Sequence, residues 1–477
     1  MFANPASLLE HAALLSSLLV EAGYTGELTG TIAAAGGPPT GDEYSETSSD
    51  TLLAALYLHG RSVARASLQE DIGSLRLAQL LSAGLLVVEA GGAVRSPVQV
   101  YPLKLHRGGS AETAAPLLLC TDWDVASVGD ERRDAVMPIG VDSLTLALGL
   151  SPAAVAGRSV LDVCCGSGVL GLVAARLGAA RVLCTDVSLR AVCFARFNAA
   201  LNGFAEACVT AAQGDGYEPA LARAAGAMAG GGGGGGCDVG GDAARYDVIL
   251  SNPPFVAVPT SLRLEHATAL YVSGGDDGAD IVRLLVRGAA EVLAASGLLL
   301  IVAQLANISS AHETLHAQMH ASVGATRLTV VYDDRHTQQR RAYAAGRARD
   351  LPGVTTSAYA AALAEAGVET MGFGVVVAQR LGGGAGGSCH DSGGGARSLR
   401  LQTAGGTAAT ATMLVGRGRE MLQRCILGED AGIEVQGEQG QPQVEPGNSD
   451  EAAAVEWMSK RGNVASWLAT GGFGIRV

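Results

Sequence analysis

The sequence predicts an α/β protein: a parallel sheet with helices on both faces, preceded by a small helical or winged-helix-like domain. Between residues 135 and 380, short apolar runs alternate with helical patterns, as they do when parallel strands are joined by crossover helices. A glycine-rich turn at residues 166–171 follows the first of these strands. Residues 51–104 show helical patterns and then two β-like runs, which suits either a winged-helix-like module or a helical cap on the next domain.

The first elements are helical. Residues 7–23 have helical apolar spacing, and further helices are predicted over 51–59 and 74–84. Strands are predicted over Leu85–Glu89 and Val98–Leu103, joined through a Gly-Gly pair.

The larger unit follows as alternating strands and helices. The predicted strands are 159–163, 181–185, 208–212, 246–250, 298–303, 327–332 and 371–379, and the predicted helices are 168–177, 189–202, 279–295 and 357–366. The last two strands flank an insertion, which suits an antiparallel edge pair.

Glycine-rich segments divide the chain. Gly230–Gly236 is predicted to be a surface loop and Gly382–Gly395 a flexible linker. The predicted divisions are residues 1–50 (helix and flexible segment), 51–117 (small domain), 118–381 (α/β domain with an insertion at 224–242), 382–397 (linker) and 398–477 (a tail with no functional signal).

Composition excludes several classes of protein. The 33 basic and 46 acidic residues give a net charge of −13, so a general nucleic-acid scaffold is not expected. The nine cysteines lack zinc-finger spacing, which predicts reduced thiols and no structural metal. No apolar stretch reaches 18 residues and no signal or transit pattern is present, so we expect a soluble, cytoplasmic protein without a membrane partner.

The glycine turn predicts a ligand site. Gly166-x-Gly168-x-x-Gly171, with Asp186 about twenty residues later, matches the dinucleotide-binding pattern. Asp162 argues for a different ligand, because a carboxylate beside the turn repels a pyrophosphate but pairs with an ammonium group. A ligand with an amino-acid end and a nucleoside end is therefore favoured, a description that fits S-adenosylmethionine.

A second motif, Ser251-Asn-Pro-Pro-Phe255, directly follows the fourth predicted strand, at the carboxyl edge where α/β sheets place ligands. The Asn252 side-chain oxygen and the Pro253 carbonyl can each accept a hydrogen bond from a planar NH2 group. Pro254 fixes the backbone, and Phe255 can stack on the acceptor. These four residues are the predicted catalytic group, and its contribution is positioning.

Residues 135–380 resemble class I S-adenosylmethionine-dependent methyltransferases, especially the group that includes release-factor glutamine and rRNA guanine-N2 methyltransferases. The resemblance implies a Rossmann-like, seven-stranded methyltransferase sheet. The motifs that carry it are Leu-Asp-Val-Cys-Cys-Gly-Ser-Gly (161–168), Thr-Asp-Val-Ser (185–188), Ala-Arg-Phe-Asn-Ala-Ala-Leu-Asn-Gly (195–203), Gly-Asp (214–215) and Ser-Asn-Pro-Pro-Phe (251–255).

The resemblance also implies residue roles. Asp162 and Gly166 would face the methionine part of the cofactor, Asp186 the ribose and Asp215 the adenine amino group. The remaining implied cofactor-binding residues are Cys164, Ser167, Gly168 and Asn252. Asp142-Ser143 resembles the segment that closes over the cofactor.

One residue departs from the family pattern. The family usually has glycine where this chain has Cys164. We therefore expect Cys164 to keep the turn with a negative φ.

The methyl acceptor is predicted to be a planar NH2 nitrogen, with a protein glutamine ranked slightly ahead of an adenine-N6 or guanine-N2 group of RNA. Residues 265–278 resemble the segment after the motif in glutamine methyltransferases, although Phe255 and His266 stand where those enzymes usually have Tyr and Pro. The winged-helix-like module and an arginine cluster favour RNA; the cluster comprises Arg335, Arg340, Arg341, Arg347 and Arg349. The arginine cluster can also be interpreted as a solvent-exposed loop, and the polar side of helix 189–202 (Arg190, Arg196, Asn198) as a solvent-exposed helix face.

Two other classes stay open. An NAD-dependent oxidoreductase explains the glycine turn and Asp186 but leaves Asp162 and Asn252 without a role. A non-catalytic adaptor needs none of the three side chains.

Overall fold

The computed structural model describes residues 5–24, 51–103, 105, 115–123, 134–229, 245–262, 270–333, 337–349, 351, 353–381, 395–401 and 416–427. The predicted glycine-rich loop at 230–236 and a terminal helix predicted at 450–468 lie outside these residues. Among the described helices, none has both the length and the apolar character needed to cross a membrane.

The front of the chain contains helices α1 (Pro5–Glu21), α2 (Leu52–Tyr57), α3 (Arg65–Ile72) and α4 (Ser74–Ser82), and strands β1 (Val63–Ala64), β2 (Val87–Val88) and β3 (Ala93–Arg95). The three short strands form an antiparallel sheet in the order β1-β3-β2. A helix, a strand, two helices and a two-stranded ribbon in this order make a winged-helix-like arrangement. Helix α2 begins where Thr51 Oγ1 accepts a hydrogen bond from Ala54 N, an N-cap typical of threonine.

The predicted pairing of 85–89 with 98–103 is wrong. Strand β4 (Val98–Leu103) pairs instead with β5 (Leu117–Asp122), which the sequence analysis did not predict. Both strands are buried along their whole length, so neither shows the alternating pattern of a half-exposed ribbon.

Nine strands of the described residues form the central sheet: β6 (Ser159–Val163), β7 (Arg181–Asp186), β8 (Val209–Gln213), β9 (Tyr246–Ser251), β10 (Leu293–Ala306), β11 (Thr326–Asp333), β12 (Gln338–Gln339), β13 (Thr370–Arg380) and β14 (Gly395–Leu401). Their order is β14-β11-β13-β10-β9-β6-β7-β8, with β12 paired to β13. Strand β13 is antiparallel to both neighbours, and the β6–β10 strands are parallel. The predicted α/β fold class is confirmed, with all seven predicted strands in one sheet.

The helices of this region are α5 (Val141–Gly149), α6 (Pro152–Val155), α7 (Val169–Arg176), α8 (Leu189–Leu201), α9 (Glu218–Ala229), α10 (Asp280–Val292), α11 (Ile308–Val323), α12 (Arg340–Ala348), α13 (Thr356–Glu365) and α14 (Gly416–Leu427). They cover both faces of the sheet. Alternate residues of β6 show this directly, since Val160 packs into one core with α7 and α8 and Leu161 into another with α10 and α13.

After residue 381, the structure differs from two of the predicted divisions of the chain. Residues 395–397, predicted to be linker, and 398–401, predicted to be tail, form β14, which pairs parallel to β11. Helix α14 packs on α5 and α6, and its Leu422, Cys425 and Ile426 are buried. Both elements are therefore integral to the α/β unit.

The polar residues of helix α8 do not all form the solvated face that was predicted, since Arg196 is exposed whereas Arg190 is half-buried and Asn198 is buried. Asn198 is fully buried; its Oδ1 accepts from Cys120 N (2.7 Å) and its Nδ2 donates to the carbonyls of Cys120 (2.8 Å) and Ser167 (2.9 Å). Arg190 forms an ion pair with buried Asp122, and Arg196 donates to Ala211 O (2.7 Å). These side chains join β5 and β8 to the helix.

Candidate active site

A cavity of about 230 Å³ opens at the carboxyl ends of β6, β7 and β9. All but one of the predicted site residues line it: Asp162, Cys164, Gly166, Ser167, Asp186, Asp215, Asn252, Pro253, Pro254 and Phe255. The exception is Gly168, which has φ 80° and precedes α7; a Cβ there would lie 3.1 Å from Ala195 Cβ. Gly168 therefore allows close packing of the turn on α8 and does not border the cavity.

The glycine-turn end of the cavity is organised by Asp186. Its Oδ2 accepts from Gly166 N (2.9 Å) and its Oδ1 from Ser188 N (2.9 Å). Burial raises the pKa of this carboxyl, and the two N–H groups oppose that shift. The side chain thus ties the end of β7 to the turn that follows β6.

Asp162 lies at the same end and is fully buried. Its Oδ2 accepts from Gly171 N (2.9 Å), while its Oδ1 is buried without a hydrogen-bond partner among the described residues. Burial raises the pKa of Asp162 to about 7, opposed by the Gly171 N–H and reinforced by the charge of Asp186. A buried carboxylate oxygen without a partner is costly, so this end is built to receive a hydrogen-bond donor or a cation.

The expectation for Cys164 was wrong. Its φ is +58°, in the left-handed region where glycine is usual and where another residue costs on the order of 1–3 kcal/mol. The strand ends at Val163, and Gly166 N must reach Asp186, so the chain turns at once and the cysteine adopts a conformation that is usual for glycine. Burial raises the pKa of its thiol, which keeps the thiol neutral beside two carboxylates.

The Asn-Pro-Pro-Phe end of the cavity is organised by the amide of Asn252. Its Nδ2 donates to Asp142 Oδ2 (3.0 Å) and to Ser143 Oγ (2.9 Å), both in the first turn of α5. Its Oδ1 is buried and has no hydrogen-bond partner in the described part of the chain. The amide therefore has a defined orientation and one open acceptor.

The loop at 273–278 holds the backbone of this motif. Val256 N donates to Val272 O (3.0 Å), and Gly274 N donates to Val256 O (2.9 Å). A Cβ on Gly274 would lie 2.8 Å from Phe255 Cα, so only glycine permits this approach. Tyr359 O–H also donates to Ala257 O from α13. Of the 265–278 segment, Glu265 and His266 lie outside the described residues.

The predicted arginine cluster does not form one surface among the residues that the structure describes. Arg347 is 3% exposed and hydrogen-bonds Tyr359, and Arg340 donates to Val368 O (3.0 Å). Arg341 and Arg349 are exposed, while Arg335 lies outside the described residues. Arg347 belongs to the core that supports the loop after Phe255.

Part of the cavity wall was not predicted from the sequence. The segment 135–139 lines it, and Val136 N donates to Asp122 Oδ2 (2.8 Å), the carboxylate that also pairs with Arg190. The signal that was available is Asp122 itself, a charged residue at the end of an otherwise apolar run.

The parallel strand order β8-β7-β6-β9-β10, with a glycine turn directly after β6, places the sheet in the Rossmann-like class of α/β proteins. Residues 146–223 match the family model described as ribosomal protein L11 methyltransferase (PrmA). The chain is 36% identical over 148 residues to a ribosomal protein uL3 glutamine methyltransferase of Bordetella pertussis, covering 30% of this chain and 42% of that protein. It is 35% identical over 147 residues to a release factor glutamine methyltransferase of Xylella fastidiosa, covering 29% and 44%. These similarities confirm the predicted resemblance, although the chain spans less than half the length of either relative.

Among solved structures, a T. thermophilus 16S rRNA N2 G1207 methyltransferase in complex with AdoMet and guanosine aligns with a TM-score of 0.30 at 19% identity, covering 64% of this chain and 66% of that one. A ribosomal protein L11 methylase from Lactobacillus delbrueckii subsp. bulgaricus aligns with a TM-score of 0.25 at 19% identity, covering 50% and 79%.

Proposed function

We propose that this chain is an S-adenosylmethionine-dependent N-methyltransferase acting on a planar NH2 group, with a protein glutamine amide ranked ahead of an RNA base. The observation that carries the proposal is the Asn252 amide. Its nitrogen is held by Asp142 and Ser143, and its oxygen is left without a partner at the cavity that also contains Asp162.

The glycine-turn end fits the cofactor. The buried Oδ1 of Asp162 has no partner, which suits the α-ammonium of an amino acid. Each oxygen of Asp186 accepts one backbone hydrogen bond and keeps a second lone pair for a ribose hydroxyl. Asp215 is exposed at the cavity rim, where it can accept from an adenine amino group. The bound cofactor supplies a methyl group on a positively charged sulfur.

The chain's own contribution to the reaction is orientation. Asn252 Oδ1 and the Pro253 carbonyl accept the two hydrogens of the acceptor NH2, which directs the nitrogen lone pair toward the methyl group. Phe255 is buried at the cavity wall and packs against the acceptor plane. Because the acceptor loses its proton only after attack, no strong base is required, and alignment can supply up to roughly 7–11 kcal/mol of the barrier reduction.

Protein glutamine is ranked first for three reasons. The relatives that match over 147 and 148 residues are named as glutamine methyltransferases of release factors and of uL3. The loop 273–278, which resembles theirs, packs directly on Phe255. In the winged-helix-like module, Arg76 pairs with Glu21 and Arg95 pairs with Glu89. These ion pairs partly neutralise the positive charges that would otherwise attract phosphate groups.

An RNA base is the second candidate, and the winged-helix-like front module is the observation that favours it. An NAD-dependent oxidoreductase is disfavoured because the buried Asp162 carboxylate would face a pyrophosphate.

The test is transfer of labelled methyl from S-adenosylmethionine into a cell lysate, with parallel samples digested by protease or by ribonuclease. Loss of label with protease supports the glutamine assignment, and loss with ribonuclease replaces it with RNA. No label above an Asn252→Ala control would contradict methyl transfer itself. Comparing thermal protection by S-adenosylhomocysteine and by NADH then tests the cofactor.

A further inference from the structure

We propose that Asp142 is a positioning residue that fixes which end of the Asn252 amide faces the methyl acceptor. The inference rests on the proposed function and deepens it. It concerns a residue 110 positions away in sequence that lines the same cavity and hydrogen-bonds the Asn252 amide.

The chemistry of the two partners of Asn252 separates their roles. An ionised carboxylate is only an acceptor, so Asp142 Oδ2 requires an N–H from Asn252 at their 3.0 Å separation. A hydroxyl can donate or accept, so Ser143 Oγ at 2.9 Å is compatible with either end of the amide. Asp142 alone therefore determines the orientation.

The orientation matters because the acceptor is itself a donor. With Nδ2 held by Asp142, the partnerless Oδ1 is the end left to accept from the NH2 group. A flipped amide would place an N–H against the N–H of the acceptor, and both donors would stay unsatisfied in a buried site. The flipped state would bind the cofactor but align no acceptor nitrogen.

Helix α5 positions Asp142. Asp142 lies in the first turn of the helix and is fully buried; burial raises the pKa of its carboxyl, and the hydrogen bond from Asn252 opposes that shift. At the other end of the same helix, Leu422 of α14 packs so closely on Gly149 that a Cβ there would lie 2.5 Å from Leu422 Cδ2. Helix α5 is therefore packed against α14 at this end, which limits movement of its backbone.

The test exchanges the two groups. Asp142→Asn lets residue 142 present either end of an amide, and we expect methyl transfer at saturating cofactor to fall about 10- to 100-fold. Asn252→Asp places two carboxylates together, and the methyl-transfer rate of this variant should fall at least as far. The double variant Asp142→Asn/Asn252→Asp restores one N–H···O bond with reversed direction and again leaves a free oxygen at position 252. We expect it to be at least tenfold more active than either single variant.

Ser143→Ala is the comparison variant, because it removes the other partner of the same amide and leaves Asp142 to set the orientation. Its methyl-transfer rate should fall by a smaller factor than that of Asp142→Asn. S-adenosylhomocysteine affinity, measured by calorimetry, should stay within about threefold in every variant, which shows that the fold and cofactor end are intact.

A second measurement covers the case in which a variant fails to fold. Wild-type protein labelled with ¹⁵N-asparagine contains seven asparagines, and the Asn252 side-chain signal is the one lost in Asn252→Ala. We expect two inequivalent, exchange-protected Nδ2 protons, and a changed pair in Asp142→Asn.

The outcomes separate the two proposals. An inactive wild-type protein contradicts the proposed function, and the role of Asp142 with it. An active wild type whose double variant is no better than the single variants, or an unprotected Asn252 amide, overturns the role of Asp142 alone.

Discussion

The two ends of the cavity use polar groups in different ways. At the glycine-turn end, carboxylates hold the backbone: Asp186 binds Gly166 and Ser188, and Asp162 binds Gly171. At the Asn-Pro-Pro-Phe end, a carboxylate holds another side chain, since Asp142 binds the amide of Asn252. The first end presents charge and the second a neutral, oriented oxygen. Binding and methyl transfer should therefore respond separately to mutation and to pH.

The largest expected effect is at the neutral end. Asn252→Ala removes the oriented oxygen, and methyl transfer should fall by about 10²-fold or more, as when a single aligned hydrogen-bonding group is lost. S-adenosylhomocysteine affinity, measured by calorimetry, should change less than about threefold. A loss of cofactor affinity comparable to the loss of rate would mean that the two ends are not separate.

Asp162→Asn should produce the opposite pattern. It replaces the buried carboxylate with a neutral amide, and S-adenosylhomocysteine should bind about 10- to 100-fold more weakly, since a hydrogen bond to a charged group contributes roughly 1.5–3 kcal/mol. Asp247→Asn is a matched control: Asp247 accepts from Ser159 N (2.8 Å) near the amino end of β9, away from the cavity. That variant should lose thermal stability and keep cofactor affinity.

The charged end should also respond to pH. With the pKa of Asp162 near 7 in the ligand-free protein, a cationic ligand must displace a proton below that pH. S-adenosylhomocysteine affinity should be constant above about pH 8 and decline below pH 7, toward tenfold per pH unit. The Asp162→Asn variant should lack this dependence, and a pH-independent wild type would contradict the assigned role.

The stability of the ligand-free protein should depend on pH in the opposite direction to its cofactor affinity. The folded-state pKa of Asp162 is raised, so its contribution to the free energy of unfolding is fully present below the unfolded pKa near 4 and is lost as pH rises through about 7. The ligand-free protein should therefore have a higher melting temperature near pH 5.5 than near pH 8. This difference in melting temperature should be smaller in Asp162→Asn.

The smallest expected effect concerns the support of the neutral end. Tyr359→Phe removes the hydrogen bond to Ala257 O and should lower stability by about 1 kcal/mol. Because Ala257 follows the motif closely, the methyl-transfer rate should fall a few-fold with cofactor affinity unchanged. Equal losses of methyl-transfer rate and cofactor affinity would show that the loop supports the whole cavity.

The sequence predicted the fold because its strands are continuous apolar runs between helical patterns. Helix α11 was missed because its buried residues, Ile308, Leu315, Met319 and Val323, form too sparse a stripe to define a helical period. Nearly all the predicted site residues line the cavity, since strand ends meet at one edge. The pairing of Asn252 with Asp142 could not be predicted from periodicity, because it depends on how α5 crosses the end of the sheet. The φ of Cys164 differs from the prediction because the hydrogen bond from Gly166 N to Asp186 requires a sharp turn, which outweighs the steric preference of cysteine.

Strand β14 has a consequence for handling the protein. It covers β11, which would otherwise present a row of unpaired backbone amides and carbonyls at the rim of the sheet. A version of the chain cut after residue 381, at the start of the glycine-rich segment, would expose that rim and also remove the helix that packs on Gly149. Self-association through exposed strand edges is then the expected outcome, so the compact fragment to prepare extends through Leu427.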